Sequence, residues 1–289
     1  MGKRVIAFSL WGDVPMYNVG AIRNAELISE VYPGWVARFY IGSDVPQKTT
    51  DALKGLGVEI VDMSGTPNDW QGMFWRFYGI DKEEDIEYLI FRDTDSRLSS
   101  REYEAVTEWV NSGKILHIMR DHPYHSEPIM GGMWGCKPKE LIDIVNENVY
   151  RKYEMPEVNN VKQIIENWLL VEIGRTERQE NNCLLPENYR TKGIDQRFLR
   201  ALVYPLALKN AHIQDAYPMY NGWSARFDIN RAGAGFDMWG KEVNTGFPSM
   251  RGKDWNNFIG QVYDENDIPN EDYARFIRER DEMIYKDWG

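Results

Sequence analysis

Two carboxylates spaced two apart, Asp93 and Asp95, follow an apolar run, Tyr88-Leu89-Ile90-Phe91, that reads as a strand. Such a pair offers hard oxygen ligands to Mg2+ or Mn2+. These ions take one or two protein carboxylates and leave other positions to phosphate oxygens and water. In an α/β protein, ligands bind just outside the carboxyl ends of strands, where this run ends. Arg92 and Arg97 flank the pair, and a guanidinium matches phosphate geometry. The chemistry implied is a metal-held diphosphate, with a nucleotide-sugar as its natural ligand. Asp-x-Asp alone is a weak signal, since an acidic chain of this length holds about one or two by chance. A solvated strand-end turn is the alternative. The context favours a site: Ser99 and Glu102, at capping-box spacing, open a helix directly afterwards.

A second polar cluster, Arg120-Asp121-His122-Pro123-Tyr124-His125, follows a later strand. Loops at strand ends carry function on a rigid scaffold. Asp121 would bind a donor sugar or deprotonate an acceptor, and His122 and His125 would hydrogen-bond acceptor hydroxyls. With His117 this loop also has the ligand types for Zn2+ or Fe2+, but its spacing matches no zinc motif. Ser9, Trp11 and Tyr17 lie at or after the end of the first strand, where a base would stack; packing is the alternative for the aromatics. Arg76 is either a donor contact or a helix arginine packed on Trp70 or Trp75. Gly131 and Gly132 permit close backbone approach. Asp195 is either a second candidate base or a carboxylate favoured at a helix N-terminus.

The elements needed to position these residues are visible. Residues 3–10, 36–41 and 58–63 read as strands, with helices over 17–31 and 49–56 between them, a βαβαβ pattern. Residues 69–79 read as helical and precede the Asp-x-Asp strand. A helix over 100–112, a strand over 115–119, a strand over 129–136 and helices near 138–149 and 159–173 follow. Residues 174–192 read as polar and irregular, 193–207 as a helix, 211–217 as a strand and 270–285 as a charged terminal helix.

The 289 residues carry a net charge of −11, which argues against an extended nucleic-acid surface. Cys136 and Cys183 imply no disulfide framework. No signal peptide or stretch of transmembrane length is visible, so a soluble cytoplasmic protein is expected.

Taken together these motifs resemble the GT-A class of nucleotide-sugar-dependent glycosyltransferases, from the first strand to about residue 217. The block Arg92 to Arg97, with Asp93, Thr94 and Asp95, resembles the family's metal-binding Asp-x-Asp. Met73-Phe74-Trp75-Arg76-Phe77 falls where such enzymes carry a helix with a donor-contacting arginine. Met130-Gly131-Gly132-Met133-Trp134-Gly135 resembles the strand whose backbone approaches the donor sugar, with Trp134 a substrate contact. Gly193-Ile194-Asp195-Gln196 is similar to the Asp-Gln segment of the glycogenin-like and bacterial galactosyltransferase branches, and Gln196 would touch substrate. His212 falls where those branches place a third metal ligand, although no matching lysine follows it. The series is also similar to uncharacterised glycosyltransferase-like proteins of bacteria and large DNA viruses.

The resemblance implies an α/β fold with a GT-A-like Rossmann-type mixed, mainly parallel sheet flanked by helices. It implies a catalytic domain over 1–217, with a nucleotide-binding half (1–97) and an acceptor half (98–217), and a C-terminal helical and loop extension over 218–289. Asp93, Asp95 and His212 would hold Mn2+ or Mg2+, Arg76 and Arg97 would add donors at the diphosphate, and Asp121 or Asp195 would act as base. A glycan or other hydroxyl would be the acceptor. A sugar nucleotidyltransferase, a phosphohydrolase and a catalytically silent nucleotide- or glycan-binding protein are the other readings. A dehalogenase-type phosphatase needs its pair after the first strand and a second acidic pair, and neither is present.

Overall fold

Continuous apolar runs suit strands buried on both faces, and they form a seven-stranded sheet here. In the computed structural model the described residues are 2–125, 127–179, 192–216, 219–220, 223–224, 235–236, 242–243, 247 and 254–286. The strands are β1 (Lys3–Leu10), β2 (Val36–Ile41), β3 (Glu59–Asp62), β4 (Ile86–Arg92), β5 (Leu116–Arg120), β6 (Trp134–Cys136) and β7 (Ala211–Asp215). Their order is β3-β2-β1-β4-β6-β5-β7. All run parallel except β6, which is antiparallel to both neighbours. The chain therefore forms the mixed, mainly parallel α/β sheet that the resemblance implies.

Alternation along the strands feeds two cores. Val5, Ala7, Leu89 and Phe91 pack on one face, against Phe74 and Phe77 of a 3-10 helix (Trp70–Gly79) and Ile142 of α4 (Pro138–Val145). Ile6, Phe8, Tyr88 and Ile90 pack on the other, against Ala21 of α1 (Pro15–Val31), Leu53 of α2 (Gln47–Gly55) and Trp109 of α3 (Ser100–Ser112). Asp69 caps the 3-10 helix, accepting from the Gln71 amide at 2.8 Å. Ser99 caps α3, accepting from the Glu102 amide at 3.3 Å. Only half of the capping box forms. The Glu102 carboxylate instead takes the Arg92 guanidinium at 2.6 Å and the Tyr32 hydroxyl at 2.7 Å.

Some expected boundaries shift. The strand expected over 129–136 is a strand only from Trp134, because the neighbouring β4 ladder ends at Phe91↔Trp134 and offers no partner beyond it. α5 (Val161–Gln179) continues through the first part of the stretch read as irregular. The helix expected over 193–207 divides into α6 (Ile194–Phe198), a π turn (Leu199–Val203) and α7 (Tyr204–Asn210). Pro205 explains the break, since it has no N–H to continue the ladder. Cys183 and Tyr217 lie outside the described residues.

The chain returns across the carboxyl edge of the sheet before α8 (Glu271–Lys286). Val262 bridges Ser96, the Tyr263 amide donates to the Asp95 carbonyl at 2.8 Å, and Ile259 packs with Met119 and Met133. Among the described residues no helix is long and apolar enough to cross a membrane.

Candidate active site

The order 3-2-1-4 puts the topological switch point between β1 and β4, and a crevice forms there outside the carboxyl ends of the strands. β1 ends at Leu10, so Trp11 emerges beside Asp93, which follows β4. Because β6 runs backwards, the residues before Trp134 reach the same edge. That reversal carries Gly131 and Gly132 to the carboxylates. A cleft of about 450 Å3 results, and Ser9, Trp11, Arg76, Asp93, Thr94, Asp95, His125, Gly131, Gly132, Asp195 and Gln196 all line it.

Arg76 is the node of the cleft. It is 3 % exposed, and one Nη donates to Asp93 while the other donates to Asp195 Oδ2 at 2.9 Å. Its own amide donates to the Ser9 hydroxyl at 2.9 Å, which ties the 3-10 helix to the end of β1. Asp195 is fully buried, and its Oδ1 accepts from the Gln196 amide at 2.9 Å. Burial raises its pKa above the usual carboxylate range, although Arg76 pulls the other way. Asp93 presents half of its side chain to the cleft. The glycines are required by contact: a Cβ on Gly131 would lie 2.1 Å from Asp195 Oδ2, and one on Gly132 would lie 2.1 Å from Asp93 Oδ2. Gly132→Ala should therefore push Asp93 off its position. Overpacking of this kind costs about 1–3 kcal/mol, and the denaturant midpoint should fall with it. A Gly132→Ala protein as stable as wild type in a denaturant titration would refute the close approach.

The Asp-x-Asp loop is held from behind by α1. Gly20 lies so close to the Thr94 carbonyl that a Cβ would meet its oxygen at 1.8 Å. Buried Asn24 donates to the Ser96 carbonyl at 2.8 Å and accepts from the Leu98 amide at 3.0 Å. Neither residue is marked by the sequence pattern, because both sit where the helix reads simply as a packed face. Lys192 is a further lining residue that sequence reasoning missed. Its charge acts on Asp95, and its only signal is its place three residues before Asp195.

The donor set can be tested for a cation. Asp95 is pushed up to about 6, by burial first and then by the Asp93 charge, with Arg76 and Lys192 only partly offsetting them. A carboxylate whose charge is disfavoured by burial and by a neighbouring carboxylate is a fit for a divalent ion. Among the described residues no cluster of three His, Cys, Asp or Glu forms. Two protein carboxylates, with phosphate oxygens and water in the other positions, is a normal Mg2+ arrangement.

The structure keeps six expected residues out of this cleft. His212 pairs with His117 at a level that corresponds, through Gly135, to Ile90. It lies three strand steps from β4, roughly 14 Å sideways at about 4.8 Å per step. No cation at about 2.1 Å from Asp93 reaches it. His212 instead sits 3.6 Å from Glu108, and burial pushes its pKa down to about 4. Asp121 is fully buried. Arg101 grips it with Nε at 2.7 Å and Nη2 at 2.8 Å, and the Ile259 amide adds a bond at 3.0 Å. It anchors the returning chain and has no oxygen facing the cleft. His122 accepts from the Tyr124 amide at 3.0 Å and donates to the Tyr273 carbonyl at 3.2 Å, docking α8. Trp134 is core, tilted on Phe91 at 4.3 Å. Arg97 turns to Asp267 at 2.7 Å, with its guanidinium 4.8 Å from the Tyr263 ring, and so clamps the returning segment. Arg92 is likewise spent on Glu102.

Trp11 meets Trp75 and Trp70 edge-on at 6.0 and 6.4 Å, and Gly72 leaves room for its ring. Trp11 and Trp70 thus give the cleft an aromatic lining beside its carboxylates.

No protein-family model and no curated protein matches the chain. Among solved structures the chain is similar to the mannosyltransferase PcManGT from Pyrobaculum calidifontis in complex with GDP-Man and Mn2+, at 12% identity and a TM-score of 0.37. That likeness covers 49% of this chain and 46% of the other. It is also similar to glucosyl-3-phosphoglycerate synthase from Mycobacterium tuberculosis in complex with Mg2+ and UDP, at 12% identity and a TM-score of 0.34, over 49% and 58% of the two chains. The chain thus spans about half the length of these structures.

Proposed function

We propose that this protein is a metal-assisted glycosyltransferase, moving a hexosyl or pentosyl group from a nucleotide-diphosphate sugar to a hydroxyl acceptor. The observation that carries the reading is the Arg76 node, which joins Asp93 of the Asp-x-Asp loop to buried Asp195 within one cleft at the switch point. Asp93 and Asp95 would hold Mn2+ or Mg2+, which neutralises charge building on the departing diphosphate. Lys192 adds a cation from the opposite chain segment, in the role expected of Arg97. Trp11 and Tyr17 offer ring faces to the base. Gly131 and Gly132 let the backbone approach the sugar, and Asp195, aligned by Arg76, faces the sugar as base or orienting group. His125 and Gln196 would bond hydroxyls.

A nucleotidyltransferase usually has a Gly-rich, basic loop after its first strand. The corresponding wall here is Ser9, Leu10, Trp11 and Gly12, aromatic and without a cation.

Titration calorimetry of UDP and GDP, in Mn2+ and in EDTA, tests the reading. Binding at least tenfold tighter in Mn2+ is expected, and ligand at 100 times its dissociation constant should stabilise the fold by about 2.7 kcal/mol. Equal affinity in both buffers would remove the metal bridge, and no binding of any nucleotide diphosphate would remove the whole reading.

A further inference from the structure

A second hollow of about 400 Å3 opens between the 121–125 loop and α8. Tyr124 and Tyr273 line both this hollow and the candidate active cleft, so the two are adjacent. We infer that this hollow is the acceptor subsite and that it takes a neutral saccharide chain; this rests on the glycosyltransferase reading above.

Three observations point to that ligand class. First, the floor is an aromatic platform. Tyr124 is 54 % exposed and stacks on Phe276 with centroids 4.4 Å apart. A rigid, exposed aromatic face suits the apolar face of a sugar ring while leaving its hydroxyls at the edge. Tyr124 is held in place, because its amide is bonded to the His122 ring and that ring is docked on Tyr273. Second, the rim carries both donors and acceptors, Asn270, Asp272, Arg275 and Glu279, which is what a polyhydroxylated ligand needs. Third, the charge excludes an anionic acceptor. Among the described residues Arg275 is the one cation lining the hollow; it is bonded to Asp272 at 2.6 Å and lies 4.0 Å from Glu279. Two carboxylates against one satisfied guanidinium repel a phosphate or carboxylate. A saccharide lying over Tyr124 would direct its terminal hydroxyl past Tyr273 and His125 towards Asp195 and Asp93.

The test measures binding of two kinds of probe to the full chain. One is a panel of neutral tetrasaccharides of glucose, galactose, mannose and N-acetylglucosamine, followed by saturation-transfer NMR; the other is UDP or GDP with Mn2+, followed by calorimetry. The variants are Tyr124→Ala and the exposed Glu279→Ala, each checked for wild-type melting. At least one tetrasaccharide should bind wild type, and Tyr124→Ala should weaken it at least tenfold. Glu279→Ala should weaken it several-fold with nucleotide affinity unchanged. Nucleotide binding intact with no tetrasaccharide bound, or with both variants binding like wild type, overturns the subsite and spares the glycosyltransferase reading. Preference for a phosphorylated sugar over its neutral counterpart overturns the neutral class. Tetrasaccharide binding in a protein that takes up no nucleotide diphosphate overturns the acceptor role together with that reading.

Discussion

Asp95→Asn should yield a protein at least as stable as wild type at neutral pH that lacks the proposed sugar transfer. Burial and the neighbouring Asp93 disfavour the ionised carboxylate, whose pKa is pushed up to about 6. A carboxyl whose folded pKa lies above its unfolded value binds more protons when folded. Its penalty is absent below about 3.9, grows as pH rises, and is complete above the folded value. Asparagine keeps the shape and removes the charge. The melting temperature of Asp95→Asn should thus match wild type near pH 4 and equal or exceed it at pH 7.5. In the same samples, Mn2+ with UDP or GDP should raise the melting temperature of wild type and leave the variant unmoved, since one of the two proposed metal ligands is gone. Such a trade of stability against function is common where a site holds strained charge. A variant that melts well below wild type at pH 7.5, or one that keeps full transfer activity, would refute the assignment.

Arg76→Ala should produce the largest loss of stability of any single change in the cleft. Arg76 is buried between two carboxylates, and Asp195 has no exposure. Removing one partner of a buried ion pair typically costs about 3–5 kcal/mol, because the other charge is left uncompensated. The change also releases the Asp-x-Asp loop from Asp195, so nucleotide binding should fail in any fraction that remains folded. A double-mutant cycle separates the two effects. Asp195→Asn in the Arg76→Ala background removes the stranded charge and should recover part of the loss, with a coupling of about 0.5–3 kcal/mol. Denaturant midpoints read this directly. Strict additivity of the two substitutions would show that the pair is not coupled, and the node would lose its role.

Much of the frame was legible in the sequence. The apolar runs of β1, β2 and β4 specify buried strands, because a run without alternation suits a sheet covered on both faces. Their ends mark where the cleft opens, which is why Ser9, Trp11, Asp93 and Asp95, all of which line it, could be placed there from the sequence, and Ser99 shows where α3 begins. The glycines of Gly131-Gly132 signal close approach without saying to what. The tertiary structure decided which charged residues face the cleft. Arg92, Arg97, Asp121 and His122 all lie near strand ends, as ligand-binding residues do. Each is taken by a partner elsewhere in the chain: Glu102, Asp267, Arg101 and Tyr273 respectively. A buried charge or imidazole needs a hydrogen-bonding partner as much as a ligand needs the residue, and sequence spacing does not reveal which demand is met. His212 shows the same limit in the sheet itself. The sequence indicates a strand, but only the order β4-β6-β5-β7 sets how far that strand lies from Asp93. The reversal of β6 also had to be seen, since it alone carries Gly132 to Asp93 and completes the wall of the cleft.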